Sequence, residues 1–133
     1  MGYSSSVTLI SGGNILPSRF VKLSTAADFT GLQATTTNEA IIGISMTGTD
    51  FPPGVSSATQ YAAQSGEQLM IFTNTEVCLL SAGSTFNAGT YLTSNSTGQG
   101  VPASAGNHIG AVALEASAAS GNLVRVQVQL GTY

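Results

Sequence analysis

From Leu123 to Leu130 the chain alternates strictly, with Val124, Val126, Val128 and Leu130 on one face and Arg125, Gln127 and Gln129 on the other. Successive side chains of an extended backbone point to opposite sides, so this pattern fits a half-buried β-strand and does not fit a helix. Ser120-Gly121-Asn122 supplies the turn that launches it. The pattern requires a sheet with one covered face, and the rest of the chain must provide the partners and the cover.

Further strands are expected at short spacing: Phe20–Leu23, Ile41–Met46, Glu67–Phe72, Glu76–Leu80, Thr90–Thr93 and Ile109–Leu114. Thr73-Asn74-Thr75 reads as the turn of a hairpin. Its two arms, 67–72 and 76–80, are apolar on both faces and are expected at the centre of a sheet. The Ala-rich pieces Ala58–Ala63 and Ala113–Ala119 are too short to build a helical layer. The fold expected is all-β, a compact β-barrel or β-sandwich of short antiparallel strands. Residues 12–133 form its single β-domain. Residues 1–11 are expected as an extended N-terminal arm, and Thr47–Gly66 as one long loop.

There is an internal echo. Gly13-Asn14-Ile15, Phe20–Ser24, Gly31-Leu32-Gln33-Ala34 and Ile42-Gly43-Ile44 are followed later by Gly83-Ser84-Thr85-Phe86, Tyr91–Ser94, Gly100-Val101-Pro102-Ala103 and Ile109-Gly110-Ala111. Each series runs turn, strand, polar loop with Gly, apolar bead and a second strand, which reads as two similar β-modules.

The surface this chain can build is almost uncharged. Only three basic and six acidic residues occur, 7% of the chain, against roughly a quarter in an ordinary soluble domain. Ser, Thr, Asn, Gln and Gly must cover the core, which suits attachment by backbone pairing and close packing. A net charge of −3 lacks the basic footprint that nucleic acid requires. No apolar run approaches the roughly 20 residues of a membrane-spanning helix, and the start, Met1–Ser6, does not read as a signal peptide.

Chemistry is hard to find. Cys78, the lone cysteine, lies between Val77 and Leu79 and reads as a buried, inert thiol. His108 is the lone histidine and reads as a strand-end residue, so a multi-His metal site would need subunits to share it. Glu67 and Glu76, flanking the expected hairpin, are the one pair that would suit a glycosidase, but solvated strand-end carboxylates are the simpler reading. No catalytic residue, metal or cofactor is assigned, and the chain is read as a non-enzyme.

The order of Gly-linked strands carries a resemblance. Gly12–Pro17 with Arg19-Phe20-Val21, then Glu67 to Ile71, Val77, Ala82-Gly83, Ala88-Gly89 and Tyr91-Leu92, and finally Ile109–Ala116 with Leu123–Val126, resemble the small capsid decoration (cement, or head-stabilising) proteins of tailed bacteriophages. That resemblance implies a homotrimer on the outer surface of the virion capsid, with the major capsid protein as partner, made in the host cytoplasm. It implies binding to the expanded head and stabilisation against the pressure of packaged DNA. On that reading Tyr3, Val7 and Leu9 of the arm and Phe51, Pro52 and Tyr61 of the loop are the expected shell contacts. Arg19, Glu115 and Arg125 are the expected inter-subunit residues. The alternative is a carbohydrate-binding β-sandwich module of a phage tail or fibre.

Overall fold

In the computed structural model, residues 6–37, 40–46 and 63–133 are described. They form ten strands: β1 (Ser6–Ser11), β2 (Phe20–Leu23), β3 (Thr30–Gln33), β4 (Gly43–Ser45), β5 (Gln68–Phe72), β6 (Val77–Ser81), β7 (Tyr91–Ser94), β8 (Gly100–Pro102), β9 (His108–Ala113) and β10 (Leu123–Thr132). The first five close into a barrel in the order β1-β3-β2-β4-β5, and the last five form a sheet in the order β6-β10-β9-β7-β8. The all-β expectation holds, with a closed barrel and a second sheet.

The two halves share one topology, strand for strand. In the first, β2 pairs antiparallel with β3 and β4, β5 with β4 and β1, and β1 runs parallel to β3. In the second, β7 pairs antiparallel with β8 and β9, and β10 with β9 and β6. A single parallel bridge, Ala82↔Gly100, joins β6 to β8 and stands where Ser11↔Gly31 stands in the first. Register agrees as well: Leu9↔Leu69 matches Leu80↔Val124, and Val21↔Gly43 matches Leu92↔Ala111. Even the isolated bridges correspond, Ile15↔Ala63 with Phe86↔Ser117. The internal echo is therefore a duplication of a five-stranded module. Its alignment needs one correction: Gly43 corresponds to Ala111, so the two Ile-Gly pairs are one residue out of step.

Each module has its own interior. Leu9, Ile15, Val21, Leu69 and Ile71 fill the first barrel, and their counterparts Leu80, Phe86, Leu92, Val124 and Val126 pack under the second sheet, in a cluster that Phe20, Ile41 and Ile44 of the first module join. The same close approach recurs in both. A Cβ on Gly31 would stand 3.2 Å from Cδ1 of Leu9, and one on Gly100 would stand 2.5 Å from Cδ2 of Leu80. A Cβ at that point of β3 or β8 would have to displace leucine side chains, those of Leu69 and Leu9 in the first module and that of Leu80 in the second.

Two expectations are overturned. Glu67–Phe72 and Glu76–Leu80 do not form a hairpin, because β5 belongs to the barrel and β6 to the second sheet. Thr73-Asn74-Thr75 is the link between modules, with Thr75 at a φ of 75° and its N–H on the carbonyl of Val128. Nor is β6 central: it is an edge strand, and Val77 and Leu79 on its outer face are 56% and 43% exposed. The second correction concerns residues 1–11. Ser6–Ser11 is a barrel strand held between β3 and β5, not an arm reaching outward.

Candidate interaction surfaces

The two modules meet through a wedge. In the first barrel the seam between β1 and the β2–β3 turn is sealed directly, with the N–H of Ile10 donating to the carbonyl of Phe29 at 2.8 Å. The counterparts of those two residues in the second module are Ser81 and Gly98. They do not meet. The N–H of Ser81 donates instead to the carbonyl of Ser18 at 2.9 Å, and the carbonyl of Gly98 accepts from the N–H of Phe20 at 2.8 Å. The segment Ser18–Phe20 of the first module is thus inserted into the seam of the second, which is why the β6–β8 ladder shrinks to one bridge.

Packing follows the hydrogen bonds. Phe20 is fully buried, and its ring lies over Gly110, where a Cβ would come within 2.5 Å of Cε1. Ile41 and Ile44 join it in one cluster with Leu80, Val126 and Val128 of the second module. Burying a side chain of this size contributes about 1.5–3 kcal/mol. Ser45 secures the base of the wedge: its buried hydroxyl donates to the carbonyl of Leu16 at 2.7 Å and accepts from the N–H of Arg19 at 3.0 Å.

Among the described residues, no wedge fills the corresponding end of the first barrel. A cleft of about 630 Å³ there is lined by Leu9, Leu23, Ser24, Ala27, Asp28, Phe29, Ile42, Ile71 and Thr73. Phe29 stands at its rim, 77% exposed and with a φ of 53°. A left-handed backbone costs a residue with a Cβ roughly 1–2 kcal/mol, and this one presents an aromatic ring to solvent. A second apolar area lies on the outer face of the second sheet. There Leu79 opposes Arg125, and Val77, Gln127, Val112 and Tyr91 form one cross-strand row. The ring of Tyr91 packs against Tyr133 with centroids 5.2 Å apart.

The residues expected at contacts divide sharply. Tyr3, Phe51, Pro52 and Tyr61 lie outside the described residues, and Val7 is described by its backbone alone, paired with Ile71. Leu9 is only 4% exposed and packs in the first barrel's core, so it is not an anchor carried on a free arm. Nη1 of Arg19 donates to the carbonyl of Thr97 at 2.9 Å, tying the wedge to the β7–β8 turn. Its Nε is buried without a partner among the described residues, and burial holds its pKa below the ordinary value. Glu115 accepts from the N–H of Arg125 at 2.8 Å, an attachment to backbone.

The two glutamates sit at opposite ends of β5 and cannot act as a pair. Each folds back on its own turn, Glu67 accepting from the N–H of Gln64 at 2.6 Å and Glu76 from that of Thr73 at 2.7 Å. Cys78 is buried, and its thiol is pushed up to about 12 by burial first and by the charge of Glu76 second. Among the described residues no group of His, Cys, Asp and Glu is arranged to hold a metal ion. Sequence reasoning missed the Ser18–Phe20 wedge, because its role depends on a seam some 80 residues further on. The echo that pairs Phe20 with Tyr91 was the available signal.

The fold is an all-β protein of two like five-stranded modules, the first a closed barrel and the second a sheet. No protein-family model matches the chain, and no curated protein matches it. Among solved structures it is similar in fold to the head fiber gp8.5 N base in bacteriophage phi29, with a TM-score of 0.62, 20% sequence identity, and 96% of each chain covered.

Proposed function

We propose that this protein is a structural component of a bacteriophage head. It is a decoration protein that attaches as a homotrimer to the outer surface of the expanded capsid and stabilises it against internal DNA pressure. The observation that carries this reading is the shared fold, over nearly the whole of both chains, with the base of a phage head fiber. The near-absence of charge supports it, since a static attachment relies on shape and backbone pairing more than on steering.

The major capsid protein is the proposed partner. The β4–β5 connection, Met46 to Glu67, is where the first module departs most from the second, whose equivalent runs only from Leu114 to Asn122. Phe51, Pro52 and Tyr61 on that connection are the proposed shell anchors, together with Tyr3. A trimer multiplies a modest patch by avidity.

Purified protein incubated with expanded and with unexpanded heads, then pelleted, tests the reading. Co-sedimentation with expanded heads alone is expected. Protein left in the supernatant of both would overturn it.

A further inference from the structure

The wedge that joins the two modules is used once within the chain, and each of its halves exists a second time. The donor half, Ser18–Phe20, has its counterpart in Gly89–Tyr91 of the second module. Ser18 and Gly89 share a left-handed backbone, with φ of 57° and 87°, and make the same bond, the N–H of Ser18 to Ser45 and that of Gly89 to Ala113. The two atoms that dock the first wedge are the carbonyl of Ser18 and the N–H of Phe20. Their counterparts, the carbonyl of Gly89 and the N–H of Tyr91, make no backbone hydrogen bond outside the strand ladders among the described residues.

The receiving half is duplicated too. Around the wedge, the second module offers Leu80, Gly110, Val126, Val128 and the turn at Gly98. The first module places Leu9, Ile42, Ile71, Thr73 and Phe29 at those positions, and all five line the open cleft. Phe29, at a φ of 53°, already holds the left-handed backbone that Gly98 adopts at 76°. The receiving turn therefore has the docked shape before anything docks, at the expense of strain and an exposed ring.

We infer that a second copy of this chain fills the cleft, by inserting its Gly89–Tyr91 segment into the seam between Ile10 and Phe29. The contact between copies then repeats the contact between modules. Insertion breaks one hydrogen bond, Ile10 N–H to Phe29 carbonyl. It forms two, Ile10 N–H to Gly89 carbonyl and Tyr91 N–H to Phe29 carbonyl. The aromatic ring of Tyr91 moves onto the apolar wall of Leu23, Ile42 and Ile71, as Phe20 sits over Gly110. One difference is built in: Ile42 stands where the second module has Gly110, so the incoming ring rests on a side chain and not on bare backbone.

Such a contact is head-to-tail, joining two different surfaces, and closes only as a ring. Three chains closed this way make a ring of six like modules. This rests on the self-assembly part of the function proposed above and is independent of attachment to a head.

Mass measurement by light scattering tests it, with Tyr91→Glu on the donor face and Leu23→Glu on the cleft. Both side chains are exposed enough for the fold to persist, which circular dichroism verifies. The wild type is expected as a closed trimer and each variant as a monomer. An equimolar mixture of the two variants retains one intact contact per pair and is expected as a heterodimer. A monomeric wild type, an assembly unchanged by Leu23→Glu, or a mixture that stays monomeric would each overturn the inference. Pelleting with heads reads the other proposal separately: a trimer that fails to bind heads sinks the function and leaves this contact standing.

Discussion

Gly110 lies beneath the ring of Phe20, so closely that a Cβ there would stand 2.5 Å from Cε1 and 2.9 Å from Cδ1. The junction between modules is sized for the absence of one carbon atom. Gly110→Ala pushes the ring off its seat, and overpacking of this kind costs about 1–3 kcal/mol. Urea unfolding followed by circular dichroism should show the midpoint falling. An unchanged midpoint would mean that the wedge is softer than its packing indicates.

Ser45 gives a polar counterpart to that test. Its hydroxyl is buried and engaged with both Leu16 and Arg19. Ser45→Ala leaves the half-buried carbonyl of Leu16 and N–H of Arg19 without this partner, at a cost of about 1 kcal/mol. The loss should appear as a lower thermal midpoint, and Ser45→Thr should recover part of it if the added methyl fits.

Alkaline pH should weaken the fold through Cys78. Its folded pKa is raised, from a model-compound value of 9.0 to about 12. The contribution is therefore complete below pH 9 and is lost as pH rises toward 12, because the unfolded chain releases the proton first. For one group the slope is at most about 1.4 kcal/mol per pH unit. Cys78→Ala should flatten stability between these limits, whatever its effect at neutral pH. A thiol reagent should leave the native protein unmodified and label it once unfolded.

Attachment to heads should depend little on salt. With three basic and six acidic residues in the whole chain, few contacts are open to screening. Retention on expanded heads across a salt series should stay level, and release of most copies at a few hundred millimolar would contradict a shape-matched attachment.

Much of this architecture was legible before any coordinates. The alternation at Leu123–Leu130 gave β10 its faces, and the order of Gly-linked strands disclosed the duplication. The failures share a cause. Thr73-Asn74-Thr75 has hairpin chemistry, but strand partners are chosen by long-range packing, and β5 finds β1 some 60 residues back in sequence. Ser6–Ser11 looked like an arm because its Ser-rich sequence carries little hydrophobic signal, although Leu9 is buried within the barrel. The docking wedge was invisible for a related reason: Ser18 and Arg19 reveal nothing locally, and their role appears only where a distant seam stands open.

That wedge bears on how the molecule is made. Synthesis delivers the N-terminal half first, so Ser18–Phe20 is already in place when the strands of the C-terminal half leave the ribosome. The later half finds its missing stitch waiting in the earlier one. The reverse order would leave it with a gap that nothing of its own can close. A gene cut between Phe72 and Glu76 should therefore give two fragments of unequal fortune, the leading one with its barrel closed by its own strands and the trailing one reliant on its sibling.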